Sequence, residues 1–145
     1  MEINKNDLIV KRSEKINTIS ISTNPYPAFP TDLQQPLCSL LVKANGLSKI
    51  VENIYKDRTA HIKELQKMGA HIKVENNSIL IDGGSKLYGA NLDGKDLRGG
   101  ASLILAALYA EGTSYIKGLK YIQRGYCNIV DNLRNLGADI YVEED

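Results

Sequence analysis

Tryptophan is absent from the 145-residue sequence, phenylalanine occurs once, and cysteine only twice. Cys38 and Cys127 stand far apart and in no metal-like or redox-like spacing with the two histidines. That excludes a zinc module, a thioredoxin-type motif and a disulfide-stapled fold, and both thiols are read as buried and reduced. No metal centre and no cofactor is expected. No apolar run approaches the roughly 20 residues that a membrane-spanning helix needs. The longest, Ala101 to Ala110, is about half of that and predicts a buried helix. The opening MEINKNDLIV lacks the unbroken apolar core and small-residue cleavage site of a secretory leader, so a cytoplasmic protein is expected. Nor is there a charge of one sign: 18 basic against 17 acidic residues leave a net charge of +1. Such a balance gives no field for nucleic acid or an anionic membrane, and any anion site must be local.

What remains is ordinary for a globular α/β chain, with 43% apolar and 24% charged residues. The length lies within the usual size of one domain. Residues 1–31 read as short β-rich stretches (LIVKR, NTISIST) followed by a connector with three prolines between Asn24 and Pro30. Thr31 or Asp32 is placed to cap a helix reaching about Asn45, with Leu33, Leu37, Leu40, Leu41 and Ala44 at helical spacing and Gly46 as its stop. A strand over 48–54 follows, then Lys56-Asp57-Arg58 and a helix from about Ala60 to Met68. Strands near 71–74 and 78–81 flank an Asn76-Asn77 turn. A β stretch over 86–92 closes the unit.

The second half repeats this order. Asp96-Leu97 matches Asp32-Leu33 at an offset of 64 residues (96 − 32), and a helix over 97–111 matches the first helix. Glu111-Gly112 matches Asn45-Gly46, Arg124 matches Arg58, and Leu136-Gly137-Ala138, with a strand after it, matches Met68-Gly69-Ala70. The chain therefore divides into a first repeat over 32–95 and a second over 96–145.

Each repeat begins with a carboxylate at a helix start, where free N–H groups and the macrodipole also favour anions. If both copies face one cleft, Asp32, Asp96, Arg98, Arg58 and Arg124 gather there as an anion site that also offers a base. Capping alone is a sufficient role for an aspartate at a helix start. Solvation is the simple reading of an arginine after a strand. Arg124-Gly125 is more suggestive, because glycine lets a ligand approach the backbone. His61 and His71 are read as partly buried polar residues, and Tyr109, Tyr115, Tyr121 and Tyr126 as packing residues.

The segment Asn24-Pro-Tyr-Pro-Ala-Phe-Pro-Thr-Asp32-Leu-Gln-Gln resembles the PxPxFPTDxQ signature of the UDP-N-acetylglucosamine 1-carboxyvinyltransferase family of enolpyruvyl transferases. Lys56-Asp57-Arg58 with His61, Glu64-Leu65 and Met68-Gly69-Ala70-His71 is similar to that family's ENRFxH…EL…MGA stretch. Asp96-Leu97-Arg98 resembles its DLRA segment and Gln123-Arg124-Gly125-Tyr126 its DRGY. The likeness spans at least four-fifths of this chain but only about the last third of the family's enzyme. Departures are Asp57 for Asn, Thr59 for an aromatic, Gln123 for Asp, and Gly99-Gly100 for Ala-Ser or Ala-Gly.

The resemblance implies part of an inside-out α/β barrel, in which each of two domains is assembled from three repeats. Here it would supply a single partial domain of two repeats plus an N-terminal β segment. It implies catalytic roles for Asp32, Asp96 and Arg98, with Asp32 accepting the proton of the sugar 3′-hydroxyl. The backbone at Ile54 would help hold UDP-N-acetylglucosamine, Arg124 would hold the phosphate of phosphoenolpyruvate, and Arg58, Asp96 and Arg98 would support charge around the enolpyruvyl group. The family's acid cysteine and phosphate-binding lysine fall in its earlier two-thirds, and neither Cys38 nor Cys127 matches that cysteine. The expected partners are therefore the two substrates, together with the missing front portion or a second copy of the chain. Another reading is a non-catalytic remnant or a nucleotide-sugar or anion-binding module. A third, the shikimate-pathway relative, is disfavoured by Pro30-Thr31-Asp32-Leu33-Gln34.

Overall fold

The computed structural model describes residues 2–3, 8–11 and 13–143. Residues 4–7 and 12 of the expected N-terminal β stretches, and the last two residues of the second repeat, lie outside the described residues. Two short strands, β1 (Glu2–Ile3) and β2 (Leu8–Ile9), pair antiparallel. The main sheet is built around β4 (Leu47–Glu52), whose Ser48, Ile50 and Glu52 point inward at the two-residue period of a half-buried strand. Its order is β3 (Ser20–Thr23), β4, β6 (Ser78–Asp82), β5 (His71–Glu75), with β3 parallel to β4 and the other pairs antiparallel. The β5–β6 turn is the expected one, with Asn76 at a positive φ of 54°.

α1 (Gln34–Leu41) crosses between the parallel strands β3 and β4. In the second half α3 (Leu97–Ala107) crosses in the same way between β7 (Asn91–Asp93) and β8 (Tyr115–Lys117), which also pair in parallel. The aligned glycines share backbone geometry. Gly46 and Gly112 have φ of 117° and 86°, and Gly69 and Gly137 have 100° and 94°. These left-handed turns disfavour any side chain, so glycine recurs where each half of the chain turns out of a helix.

α1 and α3 lie side by side, joined through small residues. The Ser39 hydroxyl donates to the Ser102 carbonyl at 2.7 Å, and the Ser102 hydroxyl to the Gln35 carbonyl at 2.9 Å. As expected of the apolar run, α3 is buried on nearly all sides, from Gly99 to Ile104 and again at Ala106. Leu41, Ile50, Leu65, Met68, Ile79, Ile81 and Leu103 fill the core between these helices, α2 (Ala60–Lys67) and the sheet. After β8, α4 (Leu119–Ile122) and α5 (Ile129–Asn135) are short, and α5 buries no residue.

Several boundaries depart from the sequence-based ones. The first helix is not continuous from Asp32: Thr31–Leu33 is a 3-10 turn, and the α-helix begins at Gln34. Pro36 explains the break, since it has no N–H to offer the Asp32 carbonyl and its ring crowds that position. The second helix ends at Ala107, because Tyr109 and Ala110 bond three residues back and tighten the chain into a turn. The strand after the first helix stops at Glu52 rather than 54. In the stretch 86–92 only Asn91 and Leu92 join a ladder, as part of β7, and Tyr88 forms an isolated bridge with Glu111. Tyr88 and Gly89 donate instead to Met68 and Glu111, at 2.8 and 2.7 Å. No strand follows Gly137-Ala138 among the described residues. β5 is held by β6 folding back on it, whereas no described segment pairs with residues 138–143. Cys38 is buried as expected, but Cys127 is exposed in the turn before α5. His61 is 2% exposed and His71 lies on the surface, while Tyr115, Tyr121 and Tyr126 are surface residues too.

Candidate functional site

Glu52 closes the inward face of β4 and is 1% exposed. One of its oxygens accepts from the Thr23 hydroxyl at 2.7 Å and from the N–H groups of Ile54 and Tyr55 at 2.9 Å each. The other accepts from the Thr31 hydroxyl at 2.9 Å. Burial raises this carboxyl, but the donations from Tyr55, Thr23, Ile54 and Thr31 outweigh it and hold the group below the usual carboxylate range. A buried anion thus fixes the loop after β4 and ties it to the turn that carries Asp32.

From Thr31 the network runs outward. Arg58 Nη1 donates to the Thr31 hydroxyl at 3.1 Å and to Asp32 Oδ1 at 3.0 Å, and its guanidinium lies 4.4 Å from the centre of the Tyr55 ring. On the other side Arg98 Nη2 meets Asp32 Oδ2 at 2.5 Å. Asp32 therefore bridges an arginine from each half of the chain. Its side chain is half exposed, against 20% for Arg58 and 33% for Arg98. Burial raises the Asp32 carboxyl, while the Arg58 hydrogen bond, the Arg98 charge and hydrogen bond, and the Arg58 charge together outweigh it and leave it lowered overall. It is an ionised, solvent-accessible carboxylate in a cationic setting.

Asp96 does what its position predicts. It is the N-cap of α3, with Oδ1 accepting from the N–H groups of Arg98 and Gly99 at 3.0 and 2.8 Å. Asp32 is not an N-cap: it lies inside the 3-10 turn, and no side chain caps α1. Ile54 and Arg58 line one open cavity of about 400 Å³ together with Tyr55, Lys56 and Asp57. The Ile54 N–H is committed to Glu52, which leaves its carbonyl as the backbone group available to a ligand. Arg124 is exposed, and it has no ion-pair partner among the described residues. Its turn is held against α3, since a Cβ on Gly125 would stand 2.9 Å from the Leu97 side chain. The structure thus joins Asp32, Arg58 and Arg98 directly, puts Asp96 at the start of the same helix as Arg98, and leaves Arg124 outside the bonded network.

Three supporting residues were given no role in the sequence reading. Glu52 carries a signal in the sequence, a carboxylate on the inward register of a β-strand. Gln35, 1% exposed, donates to Asp96 Oδ2 at 3.4 Å and touches His61 Nδ1 at the same distance. Glu64, 7% exposed, accepts from the Asp93 N–H at 3.0 Å and from Lys67 at 2.6 Å, so α2 anchors the approach to Asp96. Gln35 and Glu64 look like ordinary polar residues of a helix until α3 is brought beside them. No group of residues able to hold a metal ion occurs among the described residues, and no described helix is long and apolar enough to cross a membrane.

Residues 1–133 match the family model of EPSP synthase (3-phosphoshikimate 1-carboxyvinyltransferase). The chain is 47% identical over its whole length to UDP-N-acetylglucosamine 1-carboxyvinyltransferase of Streptococcus pneumoniae serotype 2, covering 35% of that protein. It is 45% identical over 140 residues to UDP-N-acetylglucosamine 1-carboxyvinyltransferase 2 of Listeria innocua serovar 6a, covering 33% of it. The chain thus spans about a third of the length of these curated relatives. Among solved structures, the enolpyruvyl transferase NikO from Streptomyces tendae matches with a TM-score of 0.83 at 29% identity, over 90% of this chain and 30% of that one. EPSP synthase from Acinetobacter baumannii shares the fold at a TM-score of 0.60 and 20% identity, over 88% of this chain and 29% of that one. Helix crossovers between parallel strands, a shared fold and a match over nearly all its residues lead to one conclusion: the chain belongs to the EPSP synthase-type family of enolpyruvyl transferases.

Proposed function

We propose that this chain forms one wall of the active site of a UDP-N-acetylglucosamine enolpyruvyl transferase, in the cytoplasm, where peptidoglycan synthesis begins. The observation that carries the reading is Asp32 held between Arg58 and Arg98, in a chain 47% identical to an enzyme of that name. Asp32 is the general base for the sugar 3′-hydroxyl. Each carboxylate oxygen can accept more than one hydrogen bond, so the two arginines orient it without blocking the proton. Phosphoenolpyruvate is an anion, and the guanidiniums of Arg58 and Arg98, with Arg124 free to reach its phosphate, form the electrostatic clamp. Asp96 fixes the start of α3 and hence Arg98, and the Ile54 carbonyl lies where the nucleotide sugar runs past the cavity. In this reading 32–95 and 96–145 are successive repeats of one partial domain.

Electrostatic catalysis needs preorganised groups on both sides of a cleft. The 145-residue polypeptide alone is therefore expected to release no phosphate from phosphoenolpyruvate with UDP-N-acetylglucosamine. Supplying the other two-thirds of the enzyme, covalently or in trans, restores release, and Asp32→Asn in that assembly lowers kcat by about a hundredfold or more. Family-like turnover by the chain alone, or an Asp32→Asn assembly as fast as the parent, would refute the reading.

A further inference from the structure

Gln35 lies inside α1 between groups supplied by two other helices. Its Nε2 is 3.4 Å from Asp96 Oδ2 at the start of α3 and 3.4 Å from His61 Nδ1 on α2. The other Asp96 oxygen is already taken by two backbone N–H groups. An ionised carboxylate only accepts, so the Gln35 atom facing Asp96 is the NH2. That NH2 has two hydrogens, and with the first on Asp96 the second can serve His61 Nδ1, 3.4 Å away. This nitrogen must then carry the lone pair, which places the ring proton on Nε2.

Gly99 faces the same arrangement. It is the third residue of α3, a helical position where alanine is favoured over glycine by about 1 kcal/mol. A Cβ there would stand 2.6 Å from Asp96 Oδ2 and 3.2 Å from Gln35 Nε2. Glycine at this point leaves room for the contact between the amide and the carboxylate.

We infer that Gln35 is a positioning residue: its buried amide forks between Asp96 and His61, holds the second Asp96 oxygen in one orientation, and so fixes the end of α3 from which Arg98 reaches Asp32. Its catalytic consequence rests on the reading of Asp96 and Arg98 as site residues, whereas the fork itself is testable without any activity.

The first measurement is the pair of ring 15N shifts of His61 in the 145-residue chain at neutral pH. Protonated Nε2 and unprotonated Nδ1 are expected. Gln35→Leu, which removes the donor to Nδ1, lowers the Nε2-protonated fraction. A wild-type ring protonated at Nδ1 would overturn the fork, because the amide would then present its oxygen to His61. The second is a double-mutant cycle in thermal unfolding. Gly99→Ala should lower the melting temperature by several degrees more in the parent than in a Gln35→Ala background, where Asp96 is free to yield. Equal shifts in the two backgrounds would overturn the coupling. The third uses the enzyme reassembled with its other two-thirds: Gln35→Ala should lower kcat by about tenfold or more with both KM values nearly unchanged. An unaltered kcat in an assembly that does turn over would overturn the positioning role. An assembly that never turns over refutes the proposed function and leaves the first two measurements to decide the fork.

Discussion

At Glu52 a carboxylate with 1% exposure accepts from two hydroxyls and two backbone N–H groups. Truncation leaves all four donors facing a cavity, and breaking such a buried set costs about 3 kcal/mol. Glu52→Ala should therefore lower the urea midpoint of the chain markedly and shift the amide resonances of Ile54 and Tyr55. Unmoved resonances would show that the loop holds itself. Its lowered pKa gives the sign in acid: the stabilisation is present above the ordinary carboxylate range and is lost as pH falls through the folded-state value. Asp32 is also lowered, by the arginines it bridges, but its exposure leaves that pair screened and of small weight for stability. In the proposed function its importance is chemical.

Among the elements, α2 carries the clearest pH response. Burial lowers the His61 imidazole from its ordinary value to about 4; the Asp96 charge opposes that shift and Arg58 reinforces it. In the unfolded chain the ring protonates near pH 6.5, so between the two values the unfolded state holds the extra proton. Stability therefore falls as pH drops through this window, by on the order of 3 kcal/mol in all. Urea midpoints at pH 7, 5.5 and 4.5 should show the decline, and a non-titrating His61→Phe variant should flatten it. A decline of equal size in that variant would assign the effect to the carboxylates. α5 lies at the other extreme. It buries no residue, and Leu136 just beyond it is 84% exposed. Its amides should exchange with deuterium fastest among the helices and those of β4 and β6 slowest, because opening α5 exposes little apolar surface.

On the scale of the whole molecule, α1 and α3 pack together yet leave Leu33, Leu40, Leu105 and Leu108 between 42% and 51% exposed beside or along them. Apolar area of this kind invites a partner. Concentration-dependent sedimentation of the isolated chain is expected, and supplying the other two-thirds should suppress it. A monomer at high concentration would count against this.

The order of elements was legible in the residues themselves. Helical spacing of leucines marked α1, the apolar run marked α3, and the paired glycines marked where each copy turns, since the left-handed backbone they adopt excludes most side chains. That Asp32, Arg58 and Arg98 gather was likewise expected from motif and repeat. Where elements stop was less so. A strand needs a partner across the ladder: 86–90 makes only the isolated Tyr88–Glu111 bridge, and no described segment pairs with 138–143, although their sequences are no less apolar than those that do. Local sequence determined which segments turn and which faces seek the core, because those depend on backbone sterics and on side-chain periodicity within a few residues. Only the tertiary structure decided that Asp32 bridges arginines from both halves, that Gln35 reaches Asp96, and that Arg124 stays apart. Those are distances between residues 26 or more positions apart in the chain, and they exist only once the two crossovers have packed helix against helix.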